Sequence, residues 1–246
     1  MAHRTQPQTS QTRQALLNKS ANDVIGIDAS SYVSGGVGNA IIGGGLNIIT
    51  EYPGTTDPPT HSSIIVGSSN RIEGARFCSI LAGSACYIRE PVDAVAFSVI
   101  VGGSLNTIQP DLGTGNAIMG GSGMSVIGTL THDSVTVGGN FNSVRSSFCA
   151  AAGGRFNLLE AGSDHSFFGG GLSNSITNSE RSSAVGGQSN TILNMDDVIM
   201  LGCSSKTATA ALTTHVEKLA IMSIPTSSAG LATGTVWRNG TVLNIV

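Results

Sequence analysis

The stretch Ser98-Val99-Ile100-Val101-Gly102-Gly103-Ser104-Leu105-Asn106-Thr107-Ile108 decides the fold. It reads polar, aliphatic at the second step, a glycine pair, an Asn three residues past the second glycine and an aliphatic residue five past it. The same phrase returns at ten glycines: Gly44, Gly67, Gly83, Gly103, Gly121, Gly139, Gly154, Gly171, Gly187 and Gly202. Three residues on stand Asn47, Asn70, Cys86, Asn106, Met124, Asn142, Asn157, Asn174, Asn190 and Ser205. Five residues on stand Ile49, Ile72, Ile88, Ile108, Val126, Val144, Leu159, Ile176, Ile192 and Thr207. Five residues before stand Asn39, Ser62, Cys78, Ser98, Asn116, Ser134, Cys149, Ser166, Ser182 and Asp197. Self-similarity of this kind is the signature of a solenoid.

Spacing sets the size of the coil. The gaps between the glycines are 23, 16, 20, 18, 18, 15, 17, 16 and 15 residues, a unit of about 15–16 with insertions. The alternation around Ile100 is that of a strand. The glycine pair turns the chain, and Asn106 and Ile108 continue on a second strand. Gly36 lies eight residues before Gly44, in the half-overlapping copy Val33–Ile41, which suggests two short strands per coil. Coils this short exclude three-strand right-handed helices, and the strict six-residue phrase of hexapeptide helices is missing. The expected fold is therefore all-β, a parallel β-roll or β-helix solenoid of about ten coils, ~45–50 Å long at ~4.8 Å per coil. An Asn at one place per coil is expected to form a ladder along the axis, each amide bonding the next, because a buried amide must be satisfied.

Three regions are expected. Residues 1–24 form a polar N-terminal arm, 25–207 the repeat array, and 208–246 a link and C-terminal hairpin cap. The insertions Glu51–Pro59, Arg89–Asp93 and Gln109–Gly113 read as loops on one face. Ala208–Leu219 reads as a short helix or strand. Asn239-Gly240 between β-forming residues is a strong hairpin signal, and Trp237 is expected to pack in the cap.

Composition narrows the function. Charged residues are 11%, aromatics 4% and net charge is −3, so nothing in the electrostatics calls for nucleic acid or an anionic membrane. No apolar run has signal-peptide or bilayer-spanning length, which predicts synthesis in a cytoplasm and no membrane insertion. Cys78, Cys86, Cys149 and Cys203 fall at repeat positions without zinc-site spacing, so they read as free core residues. No P-loop lysine follows the glycine-rich corners, and carboxylates are too few and out of period for calcium repeats. No cofactor or metal is expected. The acids Glu160 and Glu180, and Asp164 with Asp196 or Asp197, are the nearest pairs for glycan cleavage. They lie among Ser, Asn and Gly, which keep carboxylates ionised, so no enzymatic activity is expected. Phe77 and Phe148, and Phe167 and Phe168 nearby, read as core or trimer-interface filling, with sugar binding as the alternative.

The S-x-I-x-G-G-x-x-N-x-I array resembles the head repeats of trimeric autotransporter adhesins, and repeats of bacteriophage and other viral fibre proteins. The resemblance covers about three quarters of the chain and implies a three-chain left-handed parallel β-roll. The segment Ile224–Trp237, followed by Asn239-Gly240 and a closing β run, resembles the C-terminal end of many tailed-phage and large-virus structural proteins. That second resemblance implies a virion component. The expected function is a phage fibre, spike or capsid-decorating protein made in the host cytoplasm. It would be a homotrimer, joined to other virion proteins through its arm and able to contact a host-surface glycan. The alternatives are a bacterial adhesin-like surface module and a polysaccharide-degrading tailspike.

Overall fold

Two inward positions per strand, one polar and one aliphatic, are enough to define a coil with two walls. The computed structural model describes residues 22–25, 31–51, 59–89, 97–110, 113–128, 131–220, 223–239 and 241–246. Within these residues the chain is all-β, with no helix. Alternate strands along the chain enter two different parallel sheets, of twelve and ten strands. The first sheet runs from Asn22–Ile25 to Thr214–Val216, and the second from Tyr32–Val33 to Thr191–Leu193. The result is a parallel β-solenoid of about ten turns. A separate antiparallel hairpin follows, in which Val236–Asn239 pairs with Val242–Ile245.

Pairing keeps equivalent residues in line. In the first sheet Ile100 pairs with Ile118, and in the second Ile108 pairs with Val126. A single-file core results, in which nearly every strand contributes one apolar residue. The first-sheet column includes Ile64, Ile80, Ile100, Ile118, Ala151, Phe168 and Ala184; the second includes Ile49, Ile72, Ile88, Ile108, Val126, Val144, Leu159, Ile176 and Ile192. All are essentially inaccessible. Phe168 is the one large ring in the core, and its paired neighbours are Ala151 and Ala184. Alternating small and large side chains along a column keeps packing dense without strain.

Several boundaries differ from the sequence reading. Residues 22–24, assigned above to the arm, lie in the strand Asn22–Ile25, which pairs in register with Asn39–Ile42. Residues 1–21 lie outside the described residues, as does most of the Glu51–Pro59 insertion and parts of the other two. Ala208 is buried and Thr214–Val216 adds a strand to the first sheet, so the region after 207 continues the solenoid. The compact units divide after His215, and residues 216–246 form the second. In the hairpin Asn239 already pairs with Val242, and Trp237 is half-buried.

Candidate functional site

The repeated Asn works through the backbone of the next coil. Asn106 Oδ1 accepts from the backbone N–H of Met124 at 3.0 Å, and its Nδ2 donates to Gly102 O at 3.0 Å. Asn47 Oδ1 serves Asn70 N–H, Asn142 serves Asn157, Asn157 serves Asn174, and Asn174 serves Asn190, all at 3.0–3.1 Å. The ladder is thus side chain to main chain, and not amide to amide as the sequence suggested. A backbone N–H turned inward at each corner would otherwise be buried without a partner, so the amide is matched to that orphan donor. Asn70 satisfies Cys86 N–H in the same way, which explains why the acceptor's neighbour need not itself be Asn.

The first sheet has its own polar column. Ser134 N–H donates to Asn116 Oδ1, and Cys149 N–H donates to Ser134 Oγ. Burial pushes the Cys149 thiol up to about 11, and Cys86 is raised for the same reason. All four cysteines are buried, and none forms a disulfide.

The two glycines of each pair differ in role. Gly44, Gly67, Gly83, Gly103, Gly121, Gly139, Gly154, Gly171 and Gly187 all have positive φ and sit under the next coil. A Cβ on Gly121 would stand 2.8 Å from Gly139 O. The preceding glycine of the pair, as at Gly102 and Gly120, faces open space. Gly202 belongs to this second class. In the tenth coil Asn190 Nδ2 donates to Cys203 O at 2.6 Å, and Lys206 N–H donates to Asn190 Oδ1 at 3.2 Å. The sequence register was therefore one residue early there. Cys203 occupies the second-glycine place, Lys206 the Asn place in lieu of Ser205, Ala208 the aliphatic place in lieu of Thr207, and Val198 the inward place in lieu of Asp197.

The backbone conformation of one position was not legible in the sequence. The residue just before each inward polar residue takes a left-handed conformation, yet it is often bulky: Leu105 (φ 56), Phe141 (φ 53), Phe77 (φ 54) and Phe148 (φ 56). Phe77 and Phe148 do not fill the core; they are half-exposed and stack between coils. Phe77 lies 5.2 Å from both His61 and Phe97, Phe148 lies 5.0 Å from His165, and Phe141 lies 5.4 Å from Phe156. Only Phe168 is interior, while Phe167 faces outward.

The outer faces of the two sheets are unlike. On the first sheet, Ile42, Ile65, Val101, Met119, Val137, Val185 and Leu201 stand in one column, with Leu81 beside it in a bulge where Ala82 pairs with Val101, and all eight are 37–46% exposed. Ala152 and Gly169 complete that column. On the second sheet the corresponding column carries Thr50, Glu73, Arg89, Gln109, Ile127, Arg145, Glu160, Thr177 and Leu193, mostly polar, and the other outward column includes Arg71, Tyr87, Thr107, Ser125 and Ser143. There Glu73 is held by Arg71 at 2.9 Å and by the Tyr87 hydroxyl, and burial, with this bond to the carboxylate second, raises the tyrosine pKa. Ser125 Oγ donates to Ser143 Oγ at 2.9 Å.

Glu160 and Asp164 are engaged separately, while Glu180, Asp196 and Asp197 gather around Arg181. Glu160 pairs with Arg145 at 3.1 Å, and Asp164 Oδ1 accepts from Ser147 N–H at 2.9 Å. Arg181 lies 2.9 Å from Glu180, 3.8 Å from Asp196 and 2.7 Å from Asp197, whose carboxyl it holds below the usual range. Among the described residues no group of three or more His, Cys, Asp or Glu could hold a metal ion. No helix there is long and apolar enough to cross a membrane. Compared with known proteins, the chain matches no family model and no curated protein, so its functional reading rests on its own geometry and repeats.

Proposed function

We propose that this chain is a structural protein of a virus particle, a fibre, spike or capsid-decorating protein, which assembles as a homotrimer and contributes to host-surface attachment. The observation that carries it is the aliphatic column on the outside of the first sheet. Ten coils at ~4.8 Å make that stripe ~45 Å long, beyond the isolated apolar residues that a monomer surface ordinarily shows. A single-file core one residue wide per sheet hides little apolar area for its length. Packing first-sheet faces about a threefold axis would cover the stripe with identical partners and leave the hydroxyl-rich second sheets to water. The resemblance of residues 224–237 to virion proteins supplies the location, and the residues 1–21 supply a segment for attachment to other virion proteins.

The test has two parts. Light scattering on the purified chain should give three times 24.9 kDa, and a stable 24.9 kDa species would remove the trimer. Virus particles assembled with an epitope-tagged chain should retain the tag through purification, whereas a chain lacking residues 1–21 should trimerise but stay out of particles. Normal incorporation of the truncated chain would remove the anchoring role.

A further inference from the structure

We propose that the notch between Phe97 and Asp133, floored by Gly115, is a subsite for one neutral pyranose ring of a surface glycan. The proposal rests on the attachment part of the function above and gives it a location.

Along this corner three exposed rings, His61, Phe77 and Phe148, are each covered on the forward side by a ring from the next coil. Phe77 lies against His61, Phe97 against Phe77, and His165 against Phe148. At the other corner Phe156 covers Phe141, and the Arg155 guanidinium sits 4.6 Å over the Phe156 ring. Phe97 breaks the series, because the next coil offers Gly115, which has no side chain. Phe97 is accordingly the most exposed Phe among the described residues, at 59%. The coil after that brings Asp133, whose carboxylate leans back over Gly115, into the place a Cβ there would take.

Two coil spacings separate Phe97 from Asp133 in the column, ~9–10 Å. A ring stacked ~4 Å from Phe97 leaves space for a carboxylate to reach its edge. Pyranoses present an apolar C–H face to one side and hydroxyls around the rim. The aromatic face takes the first, and the carboxylate accepts from a pair of adjacent hydroxyls in charge-assisted bonds. Asp133 is held in place for this by its own backbone N–H, which donates to Thr114 O at 2.9 Å, while His132 Nδ1 accepts from Thr114 N–H at 3.2 Å. The negative charge disfavours anionic sugars, so the predicted ligand is neutral. In a trimer three such notches would act together, and weak single-ring binding would gain by avidity.

The test is saturation-transfer NMR on the full chain with the methyl pyranosides of glucose, galactose and N-acetylglucosamine. At least one should receive saturation, concentrated on one C–H face. Phe97→Ala should abolish transfer, and Asp133→Asn should reduce it at least fivefold. Gly115→Phe should abolish it by continuing the ring stack; Phe77 and Phe148 show that this corner accepts Phe at φ near 55°. An unchanged melting temperature in Gly115→Phe separates a filled notch from misfolding, and Phe97→Ala supplies an independent loss if it does not. Transfer to none of the three sugars, transfer that survives Gly115→Phe, or saturation of tetramethylammonium in their stead would overturn the proposal. Loss of sugar transfer with normal trimer mass and particle incorporation leaves the virion role intact. Sugar binding by a chain that never enters particles would sink the virion role and keep the notch.

Discussion

At the scale of single residues, coil-to-coil contact sorts positions that the sequence presents as equals. Gly102 and Gly103 are adjacent and both have positive φ, 73° and 86°. Only Gly103 lies against the carbonyl of the next coil, while Gly102 faces open space. Val66, at φ 62°, already occupies the place equivalent to Gly102. Gly102→Ala should therefore cost only the left-handed backbone penalty, ~1–2 kcal/mol. Gly103→Ala adds a collision with main chain that no rotamer relieves and should cost more than ~3 kcal/mol. Equal denaturation midpoints for the two variants would contradict this division. Thr136 is the opposite case. It replaces an aliphatic residue in the first-sheet column between Ile118 and Ala151, is fully buried, and its Oγ1 makes no hydrogen bond. Thr136→Val keeps the shape and removes the unmet hydroxyl, so the variant should be more stable by ~1–2 kcal/mol. A lower melting temperature would mean that the hydroxyl has a partner the structure lacks.

At the scale of strands and sheets, the two walls of the coil share one inward grammar and differ outward. Lysine placed at Val101 and Val137 together should split the proposed trimer into folded monomers, since two charges per chain would enter the apolar contact proposed for it. Lysine at Thr107 and Ser143, on the second sheet in the same coils, should leave the mass unchanged. Circular dichroism should report the same strand content for both pairs; a trimer that survives the first pair would move the contact elsewhere. The inward grammar was legible because period-two alternation and the glycine corner repeat in nearly every coil. The register of the tenth coil was not, because Cys203 replaces the second glycine and Gly202 then draws the alignment one residue early. The outward stacking of Phe77 and Phe148 was hidden for a related reason. Their left-handed φ is ordinarily announced by Gly or Asn, and here the neighbouring coil fixes it in a bulky residue. The Asn ladder was legible as a ladder, but its acceptor function requires knowing that the following backbone N–H turns inward.

At the scale of the whole solenoid, stability is a sum over neighbouring coils, and length can change without rebuilding a core. Removing residues 67–82 joins Val66 to Gly83 and deletes one sixteen-residue coil in phase. Ile64 then pairs with Ile100 and Ile49 with Ile88, the same side chains that stack in the native columns. That variant should fold and trimerise, one coil shorter. Removing residues 67–74 deletes only half a coil, with a different outcome. Each half carries the same inward pattern of a polar and an aliphatic residue, so the core can still close. Every strand after the junction, however, moves to the opposite sheet. The aliphatic column of Val101, Met119, Val137, Val185 and Leu201, with Leu81 beside it, would then lie on the far side from Ile42 and Ile65. The continuous stripe is broken although every coil is intact. The half-coil variant should therefore keep its strand content and lose its threefold mass. If it assembles like the native chain, the aliphatic column is not what holds the protomers together. If the full-coil deletion fails to fold, stacking in this solenoid depends on more than nearest neighbours.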